Sequence, residues 1–229
     1  MKAYLAIFYH LMKKERNLNP IPLQLKKNGL LCRWVVLEML GQILVEKRLI
    51  SDLKENQKFP FWHLIPEQKA RSLSLLETIL RNLSVIDNII KLYLRQETKI
   101  RIINILRIAT AEILFDKIAI HAAVDSAVRL TKTDKKSFRF SGLVNAICRK
   151  ITTRLADNSR LEDPLLNNEF VIDLNKTYNI NTIRKFGLAQ KLRPPLDLTI
   201  KDDCRLKYYA SLLKGNLLPS GTIRLEHNR

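Results

Sequence analysis

The chain has few cysteines, and no two of them form a Cys-x-x-Cys pair. Its three cysteines, Cys32, Cys148 and Cys204, lie far apart, and its four histidines are isolated from them and from one another. Structural zinc sites need several sulfur and nitrogen ligands at short spacing, so we expect no metal site. An odd number of scattered cysteines is typical of a cytoplasmic protein with reduced thiols. Cys32 and Cys148 fall at helical positions and are predicted to be small buried side chains.

Glycine is also scarce, and the glycine-rich turns of nucleotide-binding enzymes are missing. The chain has six glycines, and none of them forms a Gly-x-Gly turn. Such a turn brings the backbone close to a bound cofactor, so we expect no cofactor on this chain. The carboxylate pairs Glu162-Asp163 and Asp202-Asp203 lie in polar, turn-like segments without a partner histidine. No catalytic residue is assigned, and catalysis by this chain alone is not expected.

Negative charge and long apolar runs are the remaining deficits. The chain has 22 acidic residues against 40 Lys and Arg, a formal net charge of +18 and a pI near 10.0. This excess is larger than solubility requires. Cations that contact phosphates release condensed counterions, which favours a polyanionic partner. No apolar run reaches the roughly 18 residues that a membrane-spanning helix needs, so we expect nucleic acid, and no membrane, as the partner.

Three consecutive helices are predicted between residues 102 and 151, because apolar residues recur there with the helical period. Asn104 and Glu112 fall on the outward side of the first of them. A glycine inside a helix costs about 1 kcal/mol relative to alanine, so Gly142 predicts a close approach by a neighbouring helix or by RNA. The predicted core-facing residues are Ile102, Leu106, Ala109 and Ile113, then Ile120, Val124, Ala127 and Val128, then Phe140, Leu143, Val144, Ile147 and Ile151.

The order LRIATAEILF, IHAAVDSAVRLTK, a basic loop and FSGLVNAICRKI resembles the C-terminal half of the NusB-like helical domain. It is most similar to the version at the N-terminus of RsmB-type (Sun/Fmu) methyltransferases, which make 5-methylcytosine in small-subunit ribosomal RNA. The resemblance extends back to about Leu30. It implies a mainly α fold, a NusB-like RNA-binding bundle of about six or seven helices over residues 29–155. Residues 1–28 would form an N-terminal helix or leader and a linker.

A short C-terminal β-α-β appendage is predicted over residues 194–229, after a hinge or linker over residues 156–193. Apolar and polar residues alternate from Leu196 to Ile200, a helix is predicted from Leu206 to Leu213, and a second strand from Gly221 to Leu225. This unit resembles the subdomain that joins the helical domain to the methyltransferase in RsmB-type enzymes. Their chemistry requires one cysteine after a proline and one after a threonine, and no cysteine here has either neighbour. S-adenosylmethionine would therefore bind only through a missing or separate catalytic domain.

Nine basic residues are predicted to contact RNA, in two groups. The first lies at the start of the first domain helix, which contacts RNA in the resembling family. The second is the densest local positive charge, in the loop and helix after residue 131. The aromatic residues between Phe59 and Trp62 are predicted to cover the core rather than to stack on bases. The predicted RNA-binding residues are Lys26, Lys27 and Arg33, then Lys132, Lys135, Lys136, Arg139, Arg149 and Lys150.

The sequence thus predicts a cytoplasmic domain that targets small-subunit ribosomal RNA without catalysis of its own. Several alternatives remain open. The chain could be a NusB-type transcription antitermination factor that binds RNA and a ribosomal protein. It could be the non-catalytic half of a split S-adenosylmethionine-dependent enzyme, with a separate methyltransferase chain as its partner. It could also be a relic without activity, or a helical protein-interaction module.

Overall fold

The computed structural model describes residues 25, 30–94, 96–116, 118–156, 168–192, 194–201 and 205–225, without the side chains of 154–156 and 168–170. Over these residues the chain is mainly α-helical with one small antiparallel sheet, which confirms the predicted fold class. The chain divides into two units, Met1–Pro164 and Leu165–Arg229. We call them the helical unit and the C-terminal unit.

The helical unit contains seven α-helices among its described residues, in agreement with the six or seven predicted. Two 3₁₀ turns, Pro60–His63 and Phe138–Phe140, lie in the connections. Pro66 occupies the first position of a helix, where its missing N–H costs nothing. The helices are α1 (Leu31–Leu44), α2 (Ile50–Glu55), α3 (Pro66–Arg81), α4 (Leu83–Tyr93), α5 (Ile100–Leu114), α6 (Ile120–Lys132) and α7 (Ser141–Ala156).

Helix α5 lies at the centre of the helical unit and contacts α1, α3, α4, α6 and α7. Because neighbours surround it, α5 buries its polar side as well as its apolar stripe. Asn104 and Glu112, which the sequence placed outward, are both buried. Asn104 accepts a hydrogen bond from Nη1 of Arg107 at 2.7 Å, and Arg107 also bridges to Asp87 on α4. The prediction for these two residues is therefore wrong, and each is buried with a charged partner.

The buried face of α6 is rotated relative to the predicted one. Ala123, Ala127 and Leu130 are buried, whereas Ile120 is 50% exposed and Val124 and Val128 are only partly buried. The small side chains of Ala123 and Ala127 allow α6 to pack closely on both α5 and α7, so the face that carries them is the buried one. Only Ala127 of the four predicted core residues is fully buried.

Helix α7 follows the prediction more closely. Val144, Ile147 and Ile151 are buried as expected, and Cys148 joins them. Phe140 and Leu143, at the start of the predicted stripe, are only partly covered: Phe140 packs against the edge of the core, and Leu143 is exposed. The burial of α7 therefore begins one turn later than its apolar pattern.

The C-terminal unit contains three helices and a sheet among its described residues. Its elements are α8 (Asn168–Asn175), α9 (Ile180–Lys191), β1 (Leu196–Thr199), α10 (Leu206–Leu212), β2 (Asn216–Leu217) and β3 (Thr222–Leu225). Segment 156–193, predicted as a hinge or linker, includes helices α8 and α9, and the domain boundaries proposed for it stay a prediction. The strand order is β1-β3-β2 with antiparallel pairing, and Asp197 lies opposite Arg224.

Strand β2 was not predicted, and it adds a hairpin to the expected strand-helix-strand order. Pro219 and Ser220 form the turn before β3, and the N–H of Gly221 donates to the carbonyl of Leu218 at 3.0 Å. Gly221 has a φ of +75°, which glycine adopts without strain. Two residues are too few for an alternating pattern, so the strand had no sequence signal.

Candidate nucleic-acid interface

The loop between α6 and α7 is organised around Asp134 and Ser137. The Ser137 hydroxyl donates to the carbonyl oxygens of Thr131 at 2.8 Å and Asp134 at 3.2 Å, and Ser137 is buried. The backbone N–H of Lys136 donates to Oδ1 of Asp134 at 3.0 Å, and that of Phe138 to the Asp134 carbonyl at 2.9 Å. These bonds fix the loop backbone. The side chains between them, including Lys135, are left pointing into solvent.

Two cationic residues at the start of helix α5 support this loop, Arg101 in its first turn and Lys99 directly before it. Nη1 of Arg101 contacts Oε1 of Glu38 at 2.8 Å, and its Nε lies 3.6 Å from Oδ2 of Asp134. Nζ of Lys99 donates to the Lys136 carbonyl at 3.3 Å and lies 5.9 Å from the ring centroid of Phe140. Sequence reasoning missed Lys99. It is separated from Lys136 by 37 positions, and no local pattern brings the two together.

Six of the nine predicted RNA-binding residues are exposed, four at the end of α6 and in the loop and two further along α7. Their side chains form no ion pair with any residue that the structure describes. The Arg139 guanidinium lies 5.1 Å from the centroid of the Phe140 ring, a distance that permits a cation–π contact. We call the six residues the basic surface, and they are Lys132, Lys135, Lys136, Arg139, Arg149 and Lys150. Lys26 and Lys27 lie outside the described residues.

Two depressions lie beside α7 and involve residues of the basic surface. The first, of about 610 Å³, runs between α6 and α7, and we call it the α6/α7 groove. The second, of about 470 Å³, lies near the start of α5, and we call it the Phe140 depression; Phe140, Leu143 and Lys150 contribute to its lining. Residues that line the α6/α7 groove include Val124, Val128, Lys132, Gly142, Asn145 and Arg149.

Gly142 does not have the close helix contact that its position in α7 predicted. A Cβ atom built there would meet no described atom within 4 Å. The glycine instead lines the α6/α7 groove. Of the two predicted reasons for this glycine, close approach by a neighbouring helix of the described chain is thus wrong, and approach by RNA stays a prediction.

Residues 32–153 match the sequence pattern of the NusB family. This segment is more than half of the chain. The chain belongs to the NusB family. Among solved structures it is similar to NusB from T. maritima, with 26% identity over 53% of this chain and 88% of that one and a TM-score of 0.43. No curated protein matches the chain. The NusB-family segment begins in α1 and ends in α7, so it includes the basic surface and excludes the C-terminal unit.

Arg33, the remaining predicted RNA-binding residue, lies inside the NusB-family bundle. It is 8% exposed, and its Nε and Nη2 contact the two carboxylate oxygens of Glu112, each at 2.9 Å. Burial raises the pKa of Glu112, although the hydrogen bond and the charge of Arg33 partly oppose this rise. Arg33 is thus a partner of Glu112 between α1 and α5, and it does not belong to the exposed surface that the sequence predicted.

The remaining candidate groups of the helical unit are Cys148 and the aromatic residues between Phe59 and Trp62. Burial raises the pKa of Cys148 to about 12, so its thiol stays neutral and unreactive at pH 7. Phe59 and Phe61 are buried as predicted, whereas Trp62 is partly exposed with Nζ of Lys69 5.4 Å from its ring centroid. Neither a metal site nor a membrane span is found in the part of the chain that the structure describes. Within the described ranges, no group of three His, Cys, Asp or Glu residues could hold a metal ion. No helix there is long and apolar enough to cross a membrane.

Proposed function

We propose that this NusB-family protein binds RNA through the basic surface and that its natural target is small-subunit ribosomal RNA. The observation that carries the proposal is the set of six exposed cations, which have no carboxylate partner among the described residues. Cations without acidic partners are free to contact phosphates, and each contact adds affinity that does not depend on sequence.

The proposed role is positional. The loop backbone is fixed by Asp134 and Ser137, so the backbone positions of Lys135, Lys136 and Arg139 are set before RNA arrives. A preorganised loop loses less backbone freedom on binding than a mobile one. Sequence preference would come from exposed bases in a single-stranded loop of the RNA, because the grooves of paired RNA are poorly read.

We propose further that the chain acts as the targeting part of a ribosomal RNA cytosine-5 methyltransferase, with S-adenosylmethionine and the catalytic groups on a separate domain or chain. The antiparallel sheet of the C-terminal unit supports this context, because the sequence of that unit resembles the subdomain next to the catalytic domain in RsmB-type enzymes. The rival proposal is a NusB-type antitermination factor that binds RNA with a ribosomal protein. The family match is equally compatible with it, but it leaves the C-terminal unit without a role.

Fluorescence anisotropy tests RNA binding directly. We expect the protein to bind a small-subunit ribosomal RNA hairpin more tightly than a shuffled RNA of equal length, and to keep this preference at near-physiological salt. Equal binding to both RNAs that disappears with salt would reduce the effect to general electrostatics and would contradict ribosomal RNA as the target. No binding even at low salt would contradict the proposal as a whole.

Charge reversal then tests the basic surface. In the variant K135E/K136E/R139E we expect weaker binding and a salt dependence reduced by about 0.7 in slope for each lost phosphate contact. The control K54E/K91E/K185E changes the net charge equally at three exposed cations elsewhere on the chain. Similar losses in both variants would mean that net charge, and not this surface, determines binding.

A further inference from the structure

Helix α6 carries a second apolar stripe beside the core, and only Val124 of this stripe also packs against the edge of the core. His121 and Asp125 of the same helix line the groove next to the stripe. Ile120, Val124 and Val128 face the α6/α7 groove, while Ala123, Ala127 and Leu130 fill the core. Ile120 is half exposed, and the two valines are partly exposed. Apolar side chains on one wall of a groove favour an occupant with an apolar face.

The opposite wall, on α7, is small and polar. Gly142, Asn145 and Arg149 follow one another at spacings of three and four residues, so they lie on one face of the helix. The open space above Gly142 lets an occupant approach the backbone of α7. The Asn145 side chain makes no hydrogen bond with the residues that the structure describes, so its amide can both donate and accept one.

Two residues of the basic surface belong to the same groove. Lys132 at the end of α6 and Arg149 on α7 both line it, and neither forms an ion pair within the described ranges. Lys132 also leads into the loop that carries Lys135 and Lys136. A single RNA strand that is bound by this loop can therefore extend into the groove while it stays in contact with the basic surface.

We propose that the α6/α7 groove binds an unpaired base of single-stranded RNA. The inference rests on the proposed RNA-binding function and adds the place where a base is held. The valines contact the face of the base, the Asn145 amide pairs with its polar edge, and Lys132 and Arg149 contact the adjoining phosphates. The groove volume of about 610 Å³ lies within the range of pockets that hold small ligands.

The test is Gly142→Leu, which fills the groove without removing a charge. The built Cβ meets nothing within 4 Å, and leucine has a higher helix propensity than glycine, so we expect the variant to fold. Gly41→Leu is the matched control, because Gly41 lies in helix α1 and its Cβ also meets nothing within 4 Å. Both are compared with the unchanged chain by anisotropy, with a labelled single-stranded RNA and a duplex of the same sequence.

We expect Gly142→Leu to weaken binding of the single strand by about tenfold, since the variant loses the Asn145 hydrogen bond and the apolar contacts of one base. Its salt dependence should stay unchanged, and Gly41→Leu should bind as the unchanged chain does. Equal affinities of the two variants would overturn the groove assignment and leave RNA binding intact. An equal loss for single strand and duplex would also overturn it, because the groove would then contact the backbone and not a base. If the unchanged chain binds neither RNA, the proposed function itself fails.

As a second variant, Asn145→Ala keeps the groove open and removes only the polar contact. We expect it to bind mixed single strands almost normally but to lose the difference in affinity between oligoadenylate and oligouridylate. An unchanged difference would remove Asn145 from the site. The comparison stays informative if Gly142→Leu fails to fold.

Discussion

The helical unit and the C-terminal unit are held together in different ways. The helical unit buries a continuous apolar core that involves all of its long helices. In the C-terminal unit, Ile183 and Ile223 are the large apolar side chains that are buried among the described residues, while Leu192, Tyr208 and Leu212 are more than 60% exposed. Burial of apolar area is the main source of folding free energy. The C-terminal unit therefore depends more on local contacts, and we expect substitutions to cost less there.

The largest effect is expected from Arg33→Met in the helical unit. The change leaves the Glu112 carboxylate buried without its partner, and breaking a buried ion pair on one side costs about 3–5 kcal/mol. Denaturant unfolding at neutral pH, followed by tryptophan fluorescence, measures this cost. Both tryptophans, Trp34 and Trp62, lie in the helical unit, so the signal reports on that unit alone.

The double variant R33M/E112M and the pH dependence are the controls for this prediction. Removing both charges should restore most of the lost stability. Removing Arg33 alone raises the pKa of Glu112 further, because the hydrogen bond and the charge that lower it are lost. A raised carboxyl pKa costs stability as pH rises through the interval between its ordinary and its raised value. Arg33→Met should therefore recover on acidification, and a single variant as stable as the unchanged chain at neutral pH would contradict the prediction.

A smaller effect is expected from Gly215→Ala in the C-terminal unit. A Cβ at this position would lie 2.5 Å from Cγ2 of Ile223 and 2.7 Å from Cδ2 of Leu225. Ile223 is buried in strand β3 and cannot move aside freely, so overpacking should cost about 1–3 kcal/mol. Amide hydrogen exchange of β1 and β3 measures the loss, while tryptophan fluorescence should show the helical unit unchanged.

Gly41→Ala is the control for Gly215→Ala, since a Cβ at Gly41 meets nothing within 4 Å. We expect it to be neutral or slightly stabilising, because alanine favours the helix. If Gly215→Ala leaves exchange in the sheet unchanged, the contact between Gly215 and β3 does not limit the stability of the C-terminal unit.

The two units also differ in how much the sequence predicted. Helical periodicity predicted helices α5, α6 and α7 and the buried face of α7, because these depend on neighbours a few residues apart. It did not predict the short helix α2, which lies in a segment that reads as a connection. It misplaced the buried face of α6 and the surroundings of Glu112, since those depend on which helices pack alongside. Arg33 and Glu112 are separated by 79 positions, and no local sequence pattern around either residue indicates that the other is its partner.

For the candidate site, the density of positive charge indicated the six cations of the basic surface, and the structure shows that they are exposed. Their contact with RNA stays a prediction. The groove beside them could not be predicted, because it arises from the rotation of α6 that leaves Val124 and Val128 only partly buried beside the groove. In the C-terminal unit, alternation predicted β1 and β3 but not the cross-strand pair of Asp197 and Arg224, because pairing requires the register of the two strands.

That pair gives the smallest expected effect. Nε and Nη2 of Arg224 contact the two carboxylate oxygens of Asp197 at 2.8 and 2.7 Å, and these hydrogen bonds lower the pKa of Asp197. Both side chains are exposed, so solvent screens the pair. Its stabilisation is complete above the ordinary carboxyl pKa and is lost as pH falls through the lowered one.

Arg224→Gln should raise the Asp197 pKa toward its ordinary value in an NMR titration while barely changing exchange in the sheet. An unchanged titration would show that the two side chains do not pair in solution, and a large rise in exchange would mean that the C-terminal unit depends on this contact more than its exposure implies.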